Sequence, residues 1–223
     1  MAWIEFTAAF GVFLLSHAVP VRAPVRPAAE RLLGARGFTL VYSALSLMAL
    51  TWLISAAGRA PFVPLWPWTP WQNHMALLAM LLTCLIFALA IGRPNPFSFG
   101  GTRNDRFEPA HPGIIRWTRH PLLIALALWA AAHLLPNGDL AHVLLFGIFA
   151  LFALLGTKLV DRRKRQHLGA ERWSTLRQEV QSGPILPRPV SWFGAILRLL
   201  AAIALYGTLV VAHPVVFGVS PVP

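Results

Sequence analysis

The amino-acid sequence predicts an all-α, polytopic integral membrane bundle of about six transmembrane helices, with one further amphipathic helix on the cytoplasmic side. Of the 223 residues, 57% are hydrophobic and only 12% are charged, whereas about a quarter of the residues of a soluble domain are charged. The mean hydropathy is +0.61. Six apolar segments alternate with polar connections, and no internal repeat or low-complexity tail divides the chain. We therefore expect a single domain over residues 1–223.

The six apolar segments approach the roughly 20 helical residues that a bilayer core of about 30 Å requires. In chain order the predicted spans are 2–19, 38–57, 74–91, 121–135, 140–160 and 192–212. The first span has the length of a secretory signal peptide. However, Glu5 is the only charge before His17, and Ser16-His17-Ala18 is a poor cleavage site, so we expect a helix of the mature protein.

The distribution of Lys and Arg predicts the orientation. All of the 19 basic residues except Arg59 and Arg198 lie in the first, third and fifth connections or at the adjoining helix ends. By the positive-inside rule these connections are cytoplasmic, which puts both termini outside, in the periplasm if the membrane is a bacterial inner membrane. The second connection agrees, because its prolines alternate with Trp66, Trp68 and Trp71 in a segment suited to the headgroup level.

The segment 161–181 is predicted to be a basic amphipathic helix at the cytoplasmic membrane surface. Its apolar residues recur at helical spacing, namely Leu168, Trp173, Leu176 and Val180. The basic run 162–165 favours contact with lipid headgroups, and binding of an anionic ligand is the alternative. The lipid bilayer is therefore the main predicted partner.

The composition excludes several functional classes. The formal net charge is +11, but the basic residues flank apolar segments and form no stripe on a polar domain, which argues against nucleic-acid binding. Cys84 is the only cysteine, so an intrachain disulfide and a CxxC site are excluded. Acidic residues such as Asp139 and Asp161 stand singly at helix ends, which leaves no carboxylate cluster for a hard metal ion or a two-carboxylate hydrolase.

Three histidines mark a candidate site within the predicted spans or directly beside them. His17 lies near the end of the first span, His120 opens the fourth, and His133 lies near the far end of the fourth. Ionisable side chains in a membrane are functional by default, although an interhelical hydrogen bond is the structural alternative. Neutral imidazoles in an apolar pocket suit haem, whose iron takes axial nitrogen ligands. The other histidines, His213 among them, are interpreted as boundary or connection residues.

A joint pattern over nearly the whole chain resembles the NnrU family. It comprises Ser16-His17, the run 113–121, the segment from Trp129 to His133, Asn137-Gly138 and Asp161-Arg162-Arg163. The NnrU family is related to plant 15-cis-zeta-carotene isomerase. This relationship implies that haem b is bound, with His17 and His133 as iron ligands. The isomerase has a cysteine where this chain has Ala130, so no cysteine-for-histidine ligand switch is expected.

The resemblance implies two kinds of function. For bacterial NnrU proteins it implies a supporting role in denitrification or nitric oxide metabolism. The isomerase implies instead that ferrous haem acts as a Lewis acid or one-electron donor on a lipophilic polyene. The expected small-molecule partner is accordingly a lipophilic compound or nitric oxide.

A second, more distant resemblance is to the isoprenylcysteine carboxyl methyltransferases. It rests on Arg119-His120-Pro121 and on the helical region 161–187. It implies an alternative function, a membrane methyltransferase fold that uses S-adenosylmethionine and binds no haem. Arg119, next to His120, is a further candidate cofactor-binding residue beside the histidines. Those enzymes have a tyrosine and a pair of glutamates where this chain has Leu123 and Asp161-Arg162, which argues against S-adenosylmethionine binding.

The choice of the second iron ligand stays open between His133 and His120. The predicted first helix reaches His17 near the cytoplasmic side, whereas His133 lies about 18 Å beyond the start of the fourth helix at 1.5 Å per residue. His120 therefore matches His17 better in depth. The resemblance favours His133, and we expect His17 and His133 to bind the iron, with His120 as the alternative to His133.

Overall fold

The computed structural model describes residues 1–20, 22 and 24–223, and the prediction of an all-α protein is confirmed for them. Two short 3-10 helices, Asn104–Arg106 and Gly113–Arg116, lie in the connection before α4. The α-helices are α1 (Ala2–Ala18), α2 (Val25–Arg59), α3 (Pro70–Ala90), α4 (Pro121–Leu134), α5 (Leu140–Leu168), α6 (Ala170–Ser182) and α7 (Trp192–Phe217).

Four of these helices, α2, α3, α5 and α7, are long and apolar enough to cross a membrane. Helices α1 and α4 are apolar but shorter, with 17 and 14 residues. At 1.5 Å per residue α4 is about 21 Å long, less than a bilayer core of about 30 Å. The chain is therefore a helical membrane protein, and the count of six spans stays a prediction.

The described residues form two compact units. The first comprises 1–66 and 138–145, and the second comprises 67–137 and 146–223. The expected single domain over 1–223 stays a prediction. In the first unit α1 packs against α2, and Glu5 near the start of α1 forms an ion pair with Arg59 at the end of α2. Because this pair joins the start of one helix to the end of the next, the two helices run antiparallel.

The turn before α5 also belongs to the first unit. The carbonyl oxygen of Gly138 accepts hydrogen bonds from the backbone N–H of Leu65 at 2.7 Å and of Trp66 at 3.3 Å. The next residue, Asp139, forms an isolated bridge with Pro64 and accepts a bond from the backbone N–H of His142. Asp139 thus satisfies one of the free N–H groups at the start of α5.

Among the helix boundaries that differ from the predicted ones, three have a clear local reason. Helix α2 begins at Val25 instead of residue 38, and Gly34, with φ 71° and ψ 163°, interrupts it. Helix α3 begins at Pro70 because Thr69 and Gln72 form a capping box. The predicted amphipathic helix 161–181 is divided, because Gly169 has a φ of 84°: residues 161–168 continue α5, and α6 follows.

The apolar face of α6 packs against protein in the second unit. Trp173 and Val180 are buried in one cluster with Phe97, Ile114 and Ile115. The prediction identified the apolar face of this helix, and the structure shows that the connection between α3 and α4 covers it. This cluster holds the connection in place beside the start of α4.

Candidate functional site

Arg119, His120 and Asp161 form a network at the start of α4. Arg119 donates from Nε to one carboxylate oxygen of Asp161 at 3.2 Å and from Nη2 to the other at 2.6 Å. The Nε2 atom of His120 lies 2.9 Å from the first of these oxygens. This two-pronged geometry is the strong form of an arginine–carboxylate pair. The network therefore fixes the start of α4 against α5.

Both ring nitrogens of His120 are engaged. A carboxylate only accepts hydrogen bonds, so Nε2 carries the proton and donates to Asp161, and Nδ1 accepts from the hydroxyl of Ser98 at 3.1 Å. His120 is only 4% exposed. For His120 to bind a haem iron, as the alternative from the sequence requires, one of these two bonds would have to break.

The connectivity Ser98–His120–Asp161 is similar to that of a hydrolase triad, but its environment differs. Ser98 is 1% exposed, so the surrounding protein encloses the hydroxyl. A nucleophile needs contact with its substrate. We therefore assign Ser98 a positioning role, in which its hydroxyl holds the Nδ1 side of the His120 ring while Asp161 fixes the tautomer.

The guanidinium of Arg119 also lies over the ring of Trp173. The separation is 5.6 Å, and Arg165 and Arg177 lie over the same ring at 6.0 and 5.5 Å. Arg119 is therefore held by a carboxylate and by an aromatic face. Through the contact with Trp173, Arg119 links the Arg-His-Pro motif to α6.

Burial lowers the pKa of His120 below its ordinary value, although the charge of Asp161 acts in the opposite direction. The unfolded chain then takes up a proton at pH values at which folded His120 is still neutral, so acid favours unfolding. The stability that this residue contributes is complete above about pH 6.5 and is lost as the pH falls from there through the lowered folded pKa.

We expect the midpoint temperature of thermal unfolding in detergent to be lower at pH 5.5 than at pH 7.5. We expect this decrease to be smaller in His120→Gln. The glutamine amide does not titrate, so the difference between the two proteins isolates His120. His167→Gln, at an exposed position, should keep the dependence of the wild type. An identical pH dependence in wild type and His120→Gln would show that this histidine is not the acid-sensitive group.

His133 lies at the other end of the second unit and lines a cavity of about 280 Å³. The cavity is formed by the start of α3, the end of α4 and the end of α7 with the residues that follow it. Asn73 donates to the carbonyl oxygen of Pro221 at 3.1 Å, which ties the chain terminus to α3. His213 of α7 lines the same cavity.

The imidazoles of His133 and His213 lie close together, and one nitrogen of each is fixed by a hydrogen bond. The Nδ1 atom of His133 lies 2.8 Å from the carbonyl oxygen of Trp129, and that of His213 lies 2.8 Å from the carbonyl oxygen of Val219. Nδ1 is therefore the donor, which leaves the lone pair on Nε2. The ring centroids are 6.4 Å apart with an angle of 25° between the planes.

Aromatic side chains surround His133. The ring of Trp129 is 5.1 Å away, that of Phe146 is 5.2 Å away, and Trp129 packs in turn on Phe149 at 6.0 Å. Ala130, one residue after Trp129, is fully buried. The histidine therefore presents an imidazole from an apolar, aromatic wall.

His17 lies in the first unit, on the last turn of α1. Its Nδ1 atom is 2.8 Å from the carbonyl oxygen of Phe13, and its ring packs on Phe13 at 4.1 Å and near Tyr42 at 6.1 Å. As in His133, the bond runs to the carbonyl four residues earlier in the same helix. At both residues this bond lies within one helix, whereas the structural alternative from the sequence was an interhelical bond.

Sequence reasoning gave no role to His213, which the structure brings to His133. Its position next to Pro214, near the end of the last apolar segment, resembled a simple boundary. The sequence did carry one signal for His213, because the apolar segment could continue as a helix beyond its predicted end at residue 212. Helix α7 does continue to Phe217. Among the described residues, no group of three or more His, Cys, Asp or Glu side chains is arranged to hold a metal ion.

The family model described as NnrU protein matches residues 5–221. No curated protein matches the chain, and no solved structure matches it.

Proposed function

Because the chain belongs to the NnrU protein family, we propose that this membrane protein binds haem b with His133 as an iron ligand. The observation that carries the proposal is the pair of imidazoles of His133 and His213, which line one cavity with their centroids 6.4 Å apart. Each imidazole would hold the haem iron through Nε2, because Nδ1 donates to a backbone carbonyl. The donor set present therefore fits a haem iron.

The lining supports the same ligand class. The cavity is bordered mainly by apolar residues of α3, α4 and α7, including Leu77, Met80 and Leu209. Its volume of about 280 Å³ is near the lower end for small-molecule pockets, so the macrocycle would extend beyond it. A flat apolar cofactor at the edge of a helical membrane protein can do this, because lipid covers the remainder.

The protein groups around His133 would set its properties as a ligand. The carbonyl of Trp129 holds the proton on Nδ1, which orients the ring and raises the basicity of Nε2. Phe146 and Trp129 keep water away from the imidazole. A bound haem would supply one-electron or Lewis-acid chemistry, suited to a supporting role in nitric oxide metabolism and denitrification or to isomerisation of a lipophilic polyene.

The second residue that would hold the iron is to be identified by mutation. The resemblance implies His17, and the structure supports His213, since it shares a cavity with His133. His120 is less suited because Ser98 and Asp161 occupy both of its nitrogens.

Absorption spectra of the protein purified from haem-replete membranes test this proposal. We expect a Soret band in the wild type, loss of most of it in His133→Ala, and a shift from six- to five-coordinate haem in the variant of the second ligand, either His213→Ala or His17→Ala. His74→Ala, at an exposed histidine of α3, is the matched control and should keep the wild-type spectrum.

Two outcomes would overturn the proposal. One is the absence of a Soret band in the wild type, and the other is a band that survives His133→Ala and disappears in His120→Ala. Circular dichroism and rescue by added imidazole separate a lost ligand from a lost fold. Binding of labelled S-adenosylmethionine by a haem-free protein would support the methyltransferase alternative instead.

A further inference from the structure

A second cavity of the second unit carries three arginines. It has a volume of about 440 Å³ and lies where α3 ends and α7 begins. Arg93 and Arg103 come from the segment after α3, and Arg198 comes from α7. The residues that line this cavity include no acidic side chain. It is distinct from the cavity of His133.

These arginines have no partner of opposite charge within the described part of the chain. None of the ion pairs there involves Arg93, Arg103 or Arg198. Burial, and then the positive charge of Arg198, lower the pKa of Arg93. Two partly buried cations that repel each other are stabilised when an anion binds between them.

The positions of two of the guanidiniums are set by the fold. Arg198 donates from Nη1 to the carbonyl oxygens of Ala88 and Ile91, at 2.6 and 3.0 Å, and so caps the end of α3. Arg93 lies against Gly113, where an added Cβ would come within 2.7 Å of its Nη1. Gly113, with a φ of 56°, thus permits this close approach. Both arginines are therefore preorganised for an anion.

Around the arginines the walls are apolar and open to the surroundings. Trp117, Pro189 and Trp192 line the cavity. Trp192 is 72% exposed, and the adjacent Phe193 is 78% exposed. A site that combines guanidiniums with an exposed aromatic rim matches a lipid headgroup and the first part of its chains better than a small hydrated anion. Basic pockets beside transmembrane helices bind acidic lipid headgroups in this way.

We propose that this cavity binds the phosphate group of an anionic phospholipid. Arg93 and Arg198 contact the phosphate oxygens, since a guanidinium matches the geometry of phosphate. The acyl chains leave the cavity past Trp192 and follow the apolar surface of α7. A zwitterionic headgroup places a further positive charge beside the arginines and binds more weakly.

The proposal is tested by lipid binding to the purified full chain in detergent. The probes are short-chain phosphatidylglycerol and phosphatidylcholine, with thermophoresis as the readout and inorganic phosphate as competitor. We expect Arg93→Gln to bind phosphatidylglycerol about tenfold or more weakly than the wild type, because it loses one charge-assisted hydrogen bond. Arg93→Gln carries the test because it breaks no hydrogen bond that caps α3.

The matched control is Arg31→Gln, which makes the same change of charge at an exposed residue of α2 outside the cavity. It should bind phosphatidylglycerol as the wild type does. Displacement of the lipid by inorganic phosphate would show that free phosphate also fills the site, and Arg93-dependent binding without displacement would identify the lipid as the source. Equal binding of both lipids, or an equal loss of affinity in Arg31→Gln and Arg93→Gln, would overturn the proposal.

Discussion

Asp161→Ala is expected to lower the free energy of unfolding by about 3 kcal/mol, because the substitution removes the acceptor of two hydrogen-bond donors at once. Arg119 keeps its charge without a counter-ion, and the buried Nε2–H of His120 loses its acceptor. Breaking a fully buried ion pair costs about 3–5 kcal/mol. The side chains of Arg119 and Asp161 are 28% and 25% exposed, so water recovers part of this cost. Unfolding by sodium dodecyl sulfate in mixed micelles, followed by circular dichroism, measures the difference.

The control for this loss is Glu30→Ala. Glu30 pairs with Arg26 four residues earlier on α2, and its side chain is 31% exposed while that of Arg26 is 55% exposed. A solvent-exposed pair of this kind contributes about 0.5 kcal/mol or less. If both variants lost the same small amount, the Asp161 network would be no more than a surface ion pair.

Gly138→Ala is expected to destabilise the protein by about 2 kcal/mol, within the usual range for overpacking. An added Cβ would lie 2.2 Å from the carbonyl oxygen of Trp66 and 2.7 Å from its ring. The backbone on both sides is held by the bonds from Leu65 and Trp66 to the carbonyl of Gly138, so it cannot move without losing them. The midpoint of thermal unfolding in detergent should therefore fall.

Gly147→Ala is the control, because we expect the same chemical change to have no destabilising effect at this position. Gly147 lies inside α5, and an added Cβ meets nothing within 4 Å. Alanine in a helix interior is favoured over glycine by about 0.5–1 kcal/mol, so this variant should be at least as stable as the wild type. A loss in Gly147→Ala as large as that in Gly138→Ala would show that the contact with Trp66 is not the cause.

The apolar helices were predictable because the apolar runs are long and their interruptions are strong. The prediction for α4 ends one residue from the observed end at Leu134, and α1 ends one residue before the predicted position. The start of α3 was missed by four residues, although Thr69, Pro70 and Gln72 carry a recognisable capping box. Hydropathy locates an apolar run, whereas the ends of a helix depend on its caps.

The amphipathic helix shows a different limit. The spacing of Trp173 and Val180 predicted the buried face correctly, and Gly169 could have marked the division from α5. The covering surface comes from the connection before α4, about 60 residues earlier in the chain. Periodicity identifies which face of a helix is apolar, and only the fold decides whether lipid or protein covers it.

One part of the candidate site was predictable from the sequence and another part was not. Arg119 and His120 stand next to each other in the sequence, and the structure joins both to Asp161. His213 was passed over because its contact with His133 joins residues that are 80 positions apart. Contacts over such separations leave no signal in one sequence, since each histidine alone is compatible with a structural role.

The bond from Arg198 to the end of α3 places a condition on the order of biosynthesis. The carbonyls of Ala88 and Ile91 emerge more than 100 residues before the guanidinium that caps them. Until α7 is made, the end of α3 must satisfy these acceptors with water, so it must remain at the hydrated boundary of the membrane. In a chain that stops before Arg198 these two acceptors should therefore stay in contact with water. The last helix thus supplies the cap of one that was synthesised much earlier.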